Sequence, residues 1–132
     1  MAPRQALKEN RSLTSLNLYY TNIGEEGIKA VAAALKENRS LTSLDLSANK
    51  IDDEGAKAVA AALKENRSLT SLYLSNNNIG EEGAKAVATA LKVNWSLILL
   101  EMEQFTNEMY EDLQLNGEIY SAKTRRKMLE RR

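Results

Sequence analysis

Three carboxylates come closest to a chemical site in this sequence. Glu101 and Glu103 are two residues apart, so on a strand they would share one face, and Asp45 is predicted to lie on the same surface. Paired carboxylates can transfer protons or hold a cation. They need a dry pocket that shifts a pKa, however, and an open sheet surface does not provide one. We therefore interpret them as surface residues and predict neither a catalytic nor a metal site.

The amino-acid composition excludes most other kinds of catalytic or metal-binding site. The 132 residues include no cysteine and no histidine, which excludes disulfides, thiolate metal sites and the usual general base. No G-x-x-x-x-G-K motif for phosphate binding occurs. Lys plus Arg and Asp plus Glu number 18 each, so the net charge indicates neither an acidic nor a basic partner. We predict no enzyme activity, no cofactor and no small-molecule substrate.

A basic cluster at residues 123–127 could in principle contact phosphate groups of nucleic acid or lipid. It contains no aromatic residue for stacking, and acidic residues precede it, so we interpret it as a solvated helix face. No apolar run is long enough to span a bilayer, and the N-terminus lacks the apolar core of a secretion signal. We predict no nucleic-acid partner, no membrane partner and a cytoplasmic location.

An internal repeat of 28 residues organises most of the chain. The tetrapeptide at residues 13–16 recurs at 41–44 and at 69–72, and a weaker copy starts at Leu97. A single repeat cannot bury its own apolar face, whereas three or more stacked repeats form a continuous core. The predicted organisation is an incomplete N-terminal repeat at 1–12, three full repeats at 13–40, 41–68 and 69–96, and a degenerate fourth repeat with a helical C-terminal cap at 97–132.

Each repeat is predicted to contain one strand followed by one helix. In the second repeat, residues 43–47 alternate polar and apolar, which indicates a strand whose Ser43, Asp45 and Ser47 face outward. Residues 52–66 carry apolar groups at helical spacing, with Asp52 as the N-cap and Asn66 ending the helix in the left-handed conformation. The ion pairs expected across one helical turn are Asp53–Lys57, Glu25–Lys29 and Glu81–Lys85.

Residues 13–100 resemble the ribonuclease-inhibitor type of leucine-rich repeat, and the repeats are similar to those of NOD-like receptors. The residues that carry the resemblance are Leu69, Leu72, Leu74, Asn77, Ile79, Gly80, Glu82 and Gly83. The resemblance implies an α/β leucine-rich-repeat solenoid, with a curved parallel β-sheet inside and α-helices outside. It also implies a hydrogen-bonded ladder of asparagines after the strands, here Asn49 and Asn77. Thr21 could make only part of these bonds in the first repeat, and Phe105 none in the fourth.

The two ends of the array depart from the repeat. From Glu103 onward, irregular large apolar residues replace the leucines, which indicates a cap over the core of the last repeat. Trp95 replaces an arginine of the earlier repeats and is expected to pack against this cap. The N-terminal end has no equivalent cover, and an open strand edge can pair with another chain. We therefore predict self-association through the uncapped N-terminal end.

Differences between the repeats are concentrated in the strands and the loops that follow them, while the helices barely change. This pattern favours a protein–protein interaction module that binds a protein partner through the concave β-sheet face. Tyrosines are the expected anchors, because binding hot spots favour them. The predicted protein-binding residues are Asn17, Tyr19, Tyr20, Asp45, Lys50, Tyr73, Asn76, Glu101 and Glu103.

Two alternatives stay open on the sequence alone. A resemblance to Ran GTPase-activating proteins implies a regulator of a GTPase, although the loops after the strands contain no arginine. The near-identical copies and the start within a helix also fit a scaffold fragment of a longer repeat protein, or an engineered array. A stimulated GTPase rate would favour the first alternative over a plain binding module.

Overall fold

The computed structural model describes Leu7 and residues 10–103. Short strands and longer helices alternate along this part of the chain, as the change from a period of two to a period of 3.6 predicts. The elements are β1 (Ser15–Asn17), α1 (Gly24–Leu35), β2 (Ser43–Asp45), α2 (Asp53–Glu65), β3 (Ser71–Tyr73), α3 (Glu81–Leu91) and β4 (Leu99–Glu101). The predicted C-terminal cap and Phe105 lie outside the described residues, and the bounds of the repeats stay a prediction.

The four strands form one parallel sheet in the order β1-β2-β3-β4. Equivalent residues of successive repeats pair directly, so Leu16 lies beside Leu44, Leu44 beside Leu72, and Leu72 beside Leu100. Each helix connects one strand to the next in this order, and α2 packs against both α1 and α3. This architecture confirms the prediction of an α/β leucine-rich-repeat fold.

The hydrophobic core consists of leucines from the strand side and apolar residues from the helices. Leu44 and Leu72 are completely buried, together with Val59 and Leu63 of α2, and each such side chain stabilises the fold by about 1.5–3 kcal/mol. Leu16 of the first strand is only half-buried. The core is therefore complete in the middle of the stack and partly open at β1. Small side chains let the helices approach one another, and the completely buried alanines are Ala34, Ala56, Ala62, Ala84 and Ala90.

The starts of α2 and α3 are capped by neighbouring aspartates. Asp52 accepts a hydrogen bond from the Gly55 amide at 3.0 Å, which confirms its prediction as the N-cap of α2. The equivalent residue of α3 is Gly80, which has no side chain to cap with. Asp53, from the preceding repeat, accepts hydrogen bonds from the Gly80 amide at 2.6 Å and from the Gly83 amide at 3.0 Å. One repeat therefore caps the helix of the next.

The predicted Asp53–Lys57 ion pair is wrong because of this cap. Two backbone amides at a helix start, supported by the helix dipole, are stronger partners for the Asp53 carboxylate than one exposed ammonium. Lys57 instead lies 3.4 Å from Glu54 on its own helix and 3.4 Å from Glu82 on α3. The other two predicted pairs, Glu25–Lys29 and Glu81–Lys85, are confirmed at 3.1 Å each.

Asn66 also differs from its prediction. Its φ of −74° and ψ of 136° are extended rather than left-handed, and its side chain is completely buried. The side-chain amide donates to the Leu35 carbonyl at 2.8 Å and to the Asn38 carbonyl at 3.2 Å. The side-chain oxygen accepts from the Ser68 amide at 3.0 Å and the Leu69 amide at 2.8 Å. Asn66 thus turns the chain by side-chain bonds instead of a special backbone conformation.

The same arrangement recurs at Asn38 and Asn94, which are also completely buried. The Asn94 side chain donates to the Leu63 and Asn66 carbonyls at 2.7 and 3.1 Å, and the Asn38 side chain donates to the Leu7 and Asn10 carbonyls at 2.7 and 3.0 Å. We call these three residues, Asn38, Asn66 and Asn94, the helix-end ladder. They link each described repeat to the preceding one at the ends of the helices.

Candidate protein-binding surface

The predicted binding residues lie on the open side of the sheet and on the loops that follow the strands. We call this region, formed by β1–β4 and residues 18–23, 46–51 and 74–79, the strand-loop surface. Asn17, Asp45, Tyr73 and Glu101 are direct neighbours in the register of the four strands. Because paired strands lie about 4.8 Å apart, these four positions form one row across the sheet. The structure therefore brings together four of the nine predicted residues, with a tyrosine between two carboxylates.

Two residues of this row also shape the backbone. The side-chain oxygen of Asn17 accepts a hydrogen bond from the Tyr19 amide at 2.9 Å, and that of Asp45 accepts one from the Ser47 amide at 2.9 Å. Such bonds to the amide two residues ahead turn the chain. β1 and β2 consequently end at these two residues. A substitution of Asp45 that tests its charge should keep the acceptor, as Asp45→Asn does.

The prediction that Ser47 faces outward is wrong. Ser47 is buried, with 7% of its surface exposed, because β2 ends at Asp45 and the alternation of faces does not continue past it. Its carbonyl accepts hydrogen bonds from the Tyr20 amide at 3.1 Å and from the Asn49 side chain at 3.1 Å. Ser47 thus belongs to the support of the loop and does not contribute to its outer surface.

The loops after the strands are held by the asparagines that the sequence predicts for this purpose. The Asn49 side chain donates to the Leu18 carbonyl at 2.8 Å, and its oxygen accepts from the Thr21 amide at 3.1 Å and the Ile23 amide at 3.2 Å. Asn77 repeats this pattern one repeat further on, donating to the Leu46 carbonyl at 3.2 Å. Asn49 and Asn77 form the strand-end ladder, which confirms the prediction.

Thr21 makes part of these bonds, also as predicted. Its hydroxyl donates to the Leu18 carbonyl at 2.8 Å, which corresponds to the bond from the Asn77 side chain to the Leu74 carbonyl at 3.0 Å. A threonine hydroxyl has one donor hydrogen, whereas the asparagine amide has two. The first described loop is therefore held less completely than the second.

Five non-glycine residues in these loops have left-handed backbone conformations. Their φ angles are 53° at Tyr20, 53° at Asn22, 57° at Ala48, 59° at Lys50 and 57° at Asn76. For residues other than glycine, asparagine and aspartate this conformation costs about 1–2 kcal/mol, so Tyr20, Ala48 and Lys50 are strained. Strain of this kind concentrates at functional sites. Three predicted binding residues, Tyr20, Lys50 and Asn76, have this conformation.

A shallow pocket of about 280 Å³ lies within the strand-loop surface. Its lining residues are Tyr20, Asn22, Ala48, Asn49 and Lys50. Next to it, the rings of Tyr19 and Tyr20 lie 6.2 Å apart between centroids and are tilted by 39°. Tyr19 is 55% exposed and Tyr20 75% exposed. The pocket thus combines one exposed tyrosine ring with amide groups and one ammonium, and a second exposed ring lies beside it, which suits contacts with a protein surface.

Asn22 and Ala48 are pocket residues that the sequence analysis did not include among the binding residues. Alanine does not favour the left-handed conformation, so its position there follows from the stacked loops and cannot be read from its type. Asn22 does tolerate that conformation. The one available signal was its position two residues after Tyr20, equivalent to Lys50 in the next repeat.

The acidic residues at the end of the sheet divide into two roles. Glu103 accepts hydrogen bonds from the Asn76 amide at 2.9 and 3.1 Å through its two oxygens. In the preceding repeat the Ser75 carbonyl accepts the equivalent bond from the Ala48 amide at 2.9 Å. Glu103 therefore supports the third loop, while Glu101 lies exposed in the row beside Tyr73. Within residues 10–103, no group of three or more acidic residues could hold a metal ion.

Two lysines of the helices are paired with carboxylates, and the lysine of the pocket differs from them in this respect. The hydrogen bond that Lys29 donates to Glu25 raises the pKa of Lys29, and the hydrogen bond that Lys57 donates to Glu54 raises the pKa of Lys57. In the part of the chain that the structure describes, Lys50 has no carboxylate within ion-pair distance. Lys50 is therefore the cation of the strand-loop surface that can pair with a carboxylate of a partner.

Two further findings concern the rest of the described chain. The Trp95 side chain is 61% exposed, whereas the sequence predicted that it packs against a C-terminal cap whose residues are not described. No helix in the described ranges is long and apolar enough to cross a lipid bilayer.

Fold and register define a leucine-rich-repeat protein of the α/β class. The family model for the TMOD/LMOD leucine-rich domain matches residues 4–114, which is most of the chain. The chain belongs to this family. The leucine-rich repeat expected from the sequence is confirmed, whereas the ribonuclease-inhibitor type and the likeness to NOD-like receptors stay at the level of a resemblance.

The solved structures that are similar to this chain include a leiomodin and a tropomodulin structure. A structure of leiomodin-1 actin-binding site 2 superimposes with a TM-score of 0.77 at 26% sequence identity, and the match covers 86% of this chain and 69% of that one. The tropomodulin C-terminal domain of Caenorhabditis elegans gives a TM-score of 0.61 at 15% identity, covering 97% of this chain and 95% of that one. The second likeness supports the fold alone. A search of curated protein sequences found no match.

Proposed function

We propose that this protein is a non-catalytic module that binds actin through its strand-loop surface. The family assignment and the likeness to an actin-binding site of leiomodin-1 support actin as the partner. The observation that carries the choice of surface is the cluster of exposed and backbone-strained residues at the loops, around Tyr20 and Lys50. The nine binding residues predicted from the sequence remain part of this proposal.

The strand-loop surface is pre-organised for binding. The strand-end ladder holds the first and second loops by bonds between repeats, so a partner need not order them, which lowers the entropic cost of binding. Tyr73 provides aromatic contact area in the row between Asp45 and Glu101, and Tyr19 and Tyr20 provide it on the first loop. Lys50 offers a positive charge at the rim. The surface therefore suits a partner with an apolar patch flanked by both kinds of charge.

The structure-based variants should leave the fold intact. Tyr19→Ser removes an exposed ring, Tyr73→Ser removes a half-buried one, and Tyr20→Asn suits the left-handed backbone at that position. Lys29→Ala is the matched control, because it removes an equally exposed side chain from a helix. We expect each tyrosine that acts as a hot spot to weaken binding by about tenfold or more, while the control binds as the unaltered chain does.

Binding should be measured with purified actin, both as monomers and as filaments. Fluorescence anisotropy of the labelled chain reports on monomers, and co-sedimentation reports on filaments. An unaltered chain that binds neither form would rule out actin as the partner. Actin binding that all three tyrosine variants retain in full would rule out the strand-loop surface instead.

The other proposals made from the sequence differ in the support that they have. A role as a GTPase regulator gains no support from the family assignment. The proposals of a cytoplasmic location and of self-association through the N-terminal end stand on the sequence, and the second agrees with the half-buried Leu16 of β1. Analytical ultracentrifugation over a range of concentrations would test self-association.

A further inference from the structure

Exposed apolar residues are gathered at the opposite rim of the stack from the loops, between α3 and β4. Val93 is 48% exposed, Trp95 61% and Ile98 40%. The residues one repeat earlier at these three positions are Glu65, Arg67 and Thr70. The same polar residue types occur another repeat earlier, at Glu37, Arg39 and Thr42. The apolar change is therefore specific to the last described repeat.

Each of the three replaced residues makes an interaction in the second full repeat. Glu65 lies 3.9 Å from Lys36, the Arg67 guanidinium donates to the Lys64 carbonyl at 2.9 Å, and the Thr70 hydroxyl donates to the Thr42 carbonyl at 3.0 Å. Valine and isoleucine side chains can form neither an ion pair nor a hydrogen bond, and tryptophan replaces the charged, five-hydrogen donor of arginine with a single neutral N–H. The last repeat has thus lost three stabilising contacts and exposed three apolar side chains. Folding of the described residues does not explain such a change, whereas contact with something else does.

Positive charges border these apolar residues. Lys36 pairs with Glu65 of the following repeat, but the corresponding neighbour of Lys64 is Val93. Across residues 10–103, neither Lys64 nor Lys92 has a carboxylate within ion-pair distance. We call Val93, Trp95 and Ile98, with Lys64 and Lys92 at their border, the C-terminal patch. Because it combines apolar side chains with lysines, it is complementary to a segment that carries both apolar and acidic side chains.

The chain itself contains such a segment directly after the described residues. Residues 104–115 include no lysine and no arginine. Their acidic residues are Glu108, Glu111 and Asp112, and their large apolar residues are Phe105, Met109, Tyr110, Leu113 and Leu115. Glu103 lies five positions after Ile98, or about 17 Å of extended chain. Twelve residues can span up to about 40 Å, so the segment is long enough to return to the patch.

We propose that residues 104–115 dock on the C-terminal patch, with their apolar side chains against Val93, Trp95 and Ile98 and their carboxylates facing Lys64 and Lys92. Docking compensates the three lost contacts and shields the indole of Trp95 from water. The C-terminal patch lies before β4, whereas the loops of the proposed actin-binding surface follow the strands. This inference therefore does not depend on the proposed function.

Trp95 provides the readout, since it is the single tryptophan of the chain. Acrylamide quenching of its fluorescence should be measured in the full chain and in the variant with Glu108→Lys, Glu111→Lys and Asp112→Lys. We expect the unaltered chain to resist quenching. Each of the two lysines can form one exposed ion pair worth roughly a twofold shift of the docking equilibrium, so the triple reversal should shift it by roughly fourfold, with stronger quenching and a red-shifted emission.

A charge swap makes the test specific. Adding Lys64→Glu and Lys92→Glu to the triple variant should restore protection of Trp95, because the opposite charges face each other again. The matched control adds Lys29→Glu and Lys50→Glu, which lie away from the patch, and should not restore it. Unchanged quenching in the triple variant, or equal rescue by both pairs, would overturn the proposal. Protection that rises with protein concentration would overturn it in favour of a second copy as the occupant.

Discussion

The two asparagine ladders of this protein lie at opposite rims of the stack and differ in how regularly their hydrogen bonds recur from repeat to repeat. At the helix ends, Asn38, Asn66 and Asn94 are completely buried and make the same four bonds in each repeat. At the strand ends the ladder contains Asn49 and Asn77, while Thr21 replaces asparagine in the first repeat. One rim is uniform, whereas the other varies along the stack.

This difference separates the stabilising rim from the rim that is available for binding. In the helix-end ladder, the loss of a hydrogen bond leaves buried polar groups without partners. Substitution of one of its asparagines should therefore destabilise the fold strongly. The strand-end loops combine a partial ladder with exposed tyrosines and left-handed residues. Their side chains can vary while the backbone is held. The varying rim is therefore the better candidate for partner recognition.

The largest effect is expected from Asn66→Ala in the helix-end ladder. The substitution leaves two buried carbonyls and two amides without their side-chain partner, which should cost about 3–5 kcal/mol of unfolding free energy. Urea denaturation measures this cost. Asn78→Ala, at an exposed asparagine, is the control and should change stability by less than about 0.5 kcal/mol. A cost for Asn66→Ala similar to that of the control would remove the distinction between the rims.

A smaller loss is expected from Asn77→Ala in the strand-end ladder. Asn77 is half-buried, so water can reach some of the groups that lose a partner, and the cost should be about 1–3 kcal/mol. Asn77→Thr should recover part of the loss, because a hydroxyl can donate to the Leu74 carbonyl as Thr21 does to Leu18. If alanine and threonine were equally destabilising in urea, the partial ladder at Thr21 would have no energetic value.

The smallest effect, with the opposite sign, is expected from Ala48→Gly. Glycine adopts the φ of 57° without strain, and the gain should exceed the entropy that glycine adds to the unfolded chain, for a net stabilisation of about 0.5 kcal/mol. Ala58→Gly within α2 is the matched control and should destabilise by about 1 kcal/mol. The midpoint of urea unfolding should rise for the first variant and fall for the second. A fall for both would show that the loop is not strained.

Local sequence patterns predicted the fold and a part of the candidate site. The leucine alternation gave the strands and their buried face, and Asp52 was correctly placed as a cap because its partner lies three residues away. The Asn49 and Asn77 ladder was predicted through the resemblance to leucine-rich repeats. The row from Asn17 to Glu101 followed from the 28-residue spacing, since equivalent residues of stacked repeats become neighbours.

Partners from a neighbouring repeat could not be predicted in the same way. Asp53 and Asn66 each have a reasonable partner or conformation within their own repeat, and both instead bond residues 27–31 positions away. Ser47 was assigned outward by an alternation that the Asp45 turn interrupts. The left-handed conformation of Ala48 has no signal in its residue type at all.

The sequence by itself determined the repeat length, the leucine-rich-repeat class and the residue types available on each surface, because these depend on local spacing. The tertiary structure alone decided which polar groups meet, which loops are strained and which of two ladders is complete. Hydrogen bonds between repeats form only after stacking has brought distant residues within 3 Å or so of one another. Stacking also decides which partner the Asp53 carboxylate bonds, because it brings backbone amides of the next repeat into competition with the nearby Lys57 side chain. The local sequence around Asp53 does not show that these amides will be there.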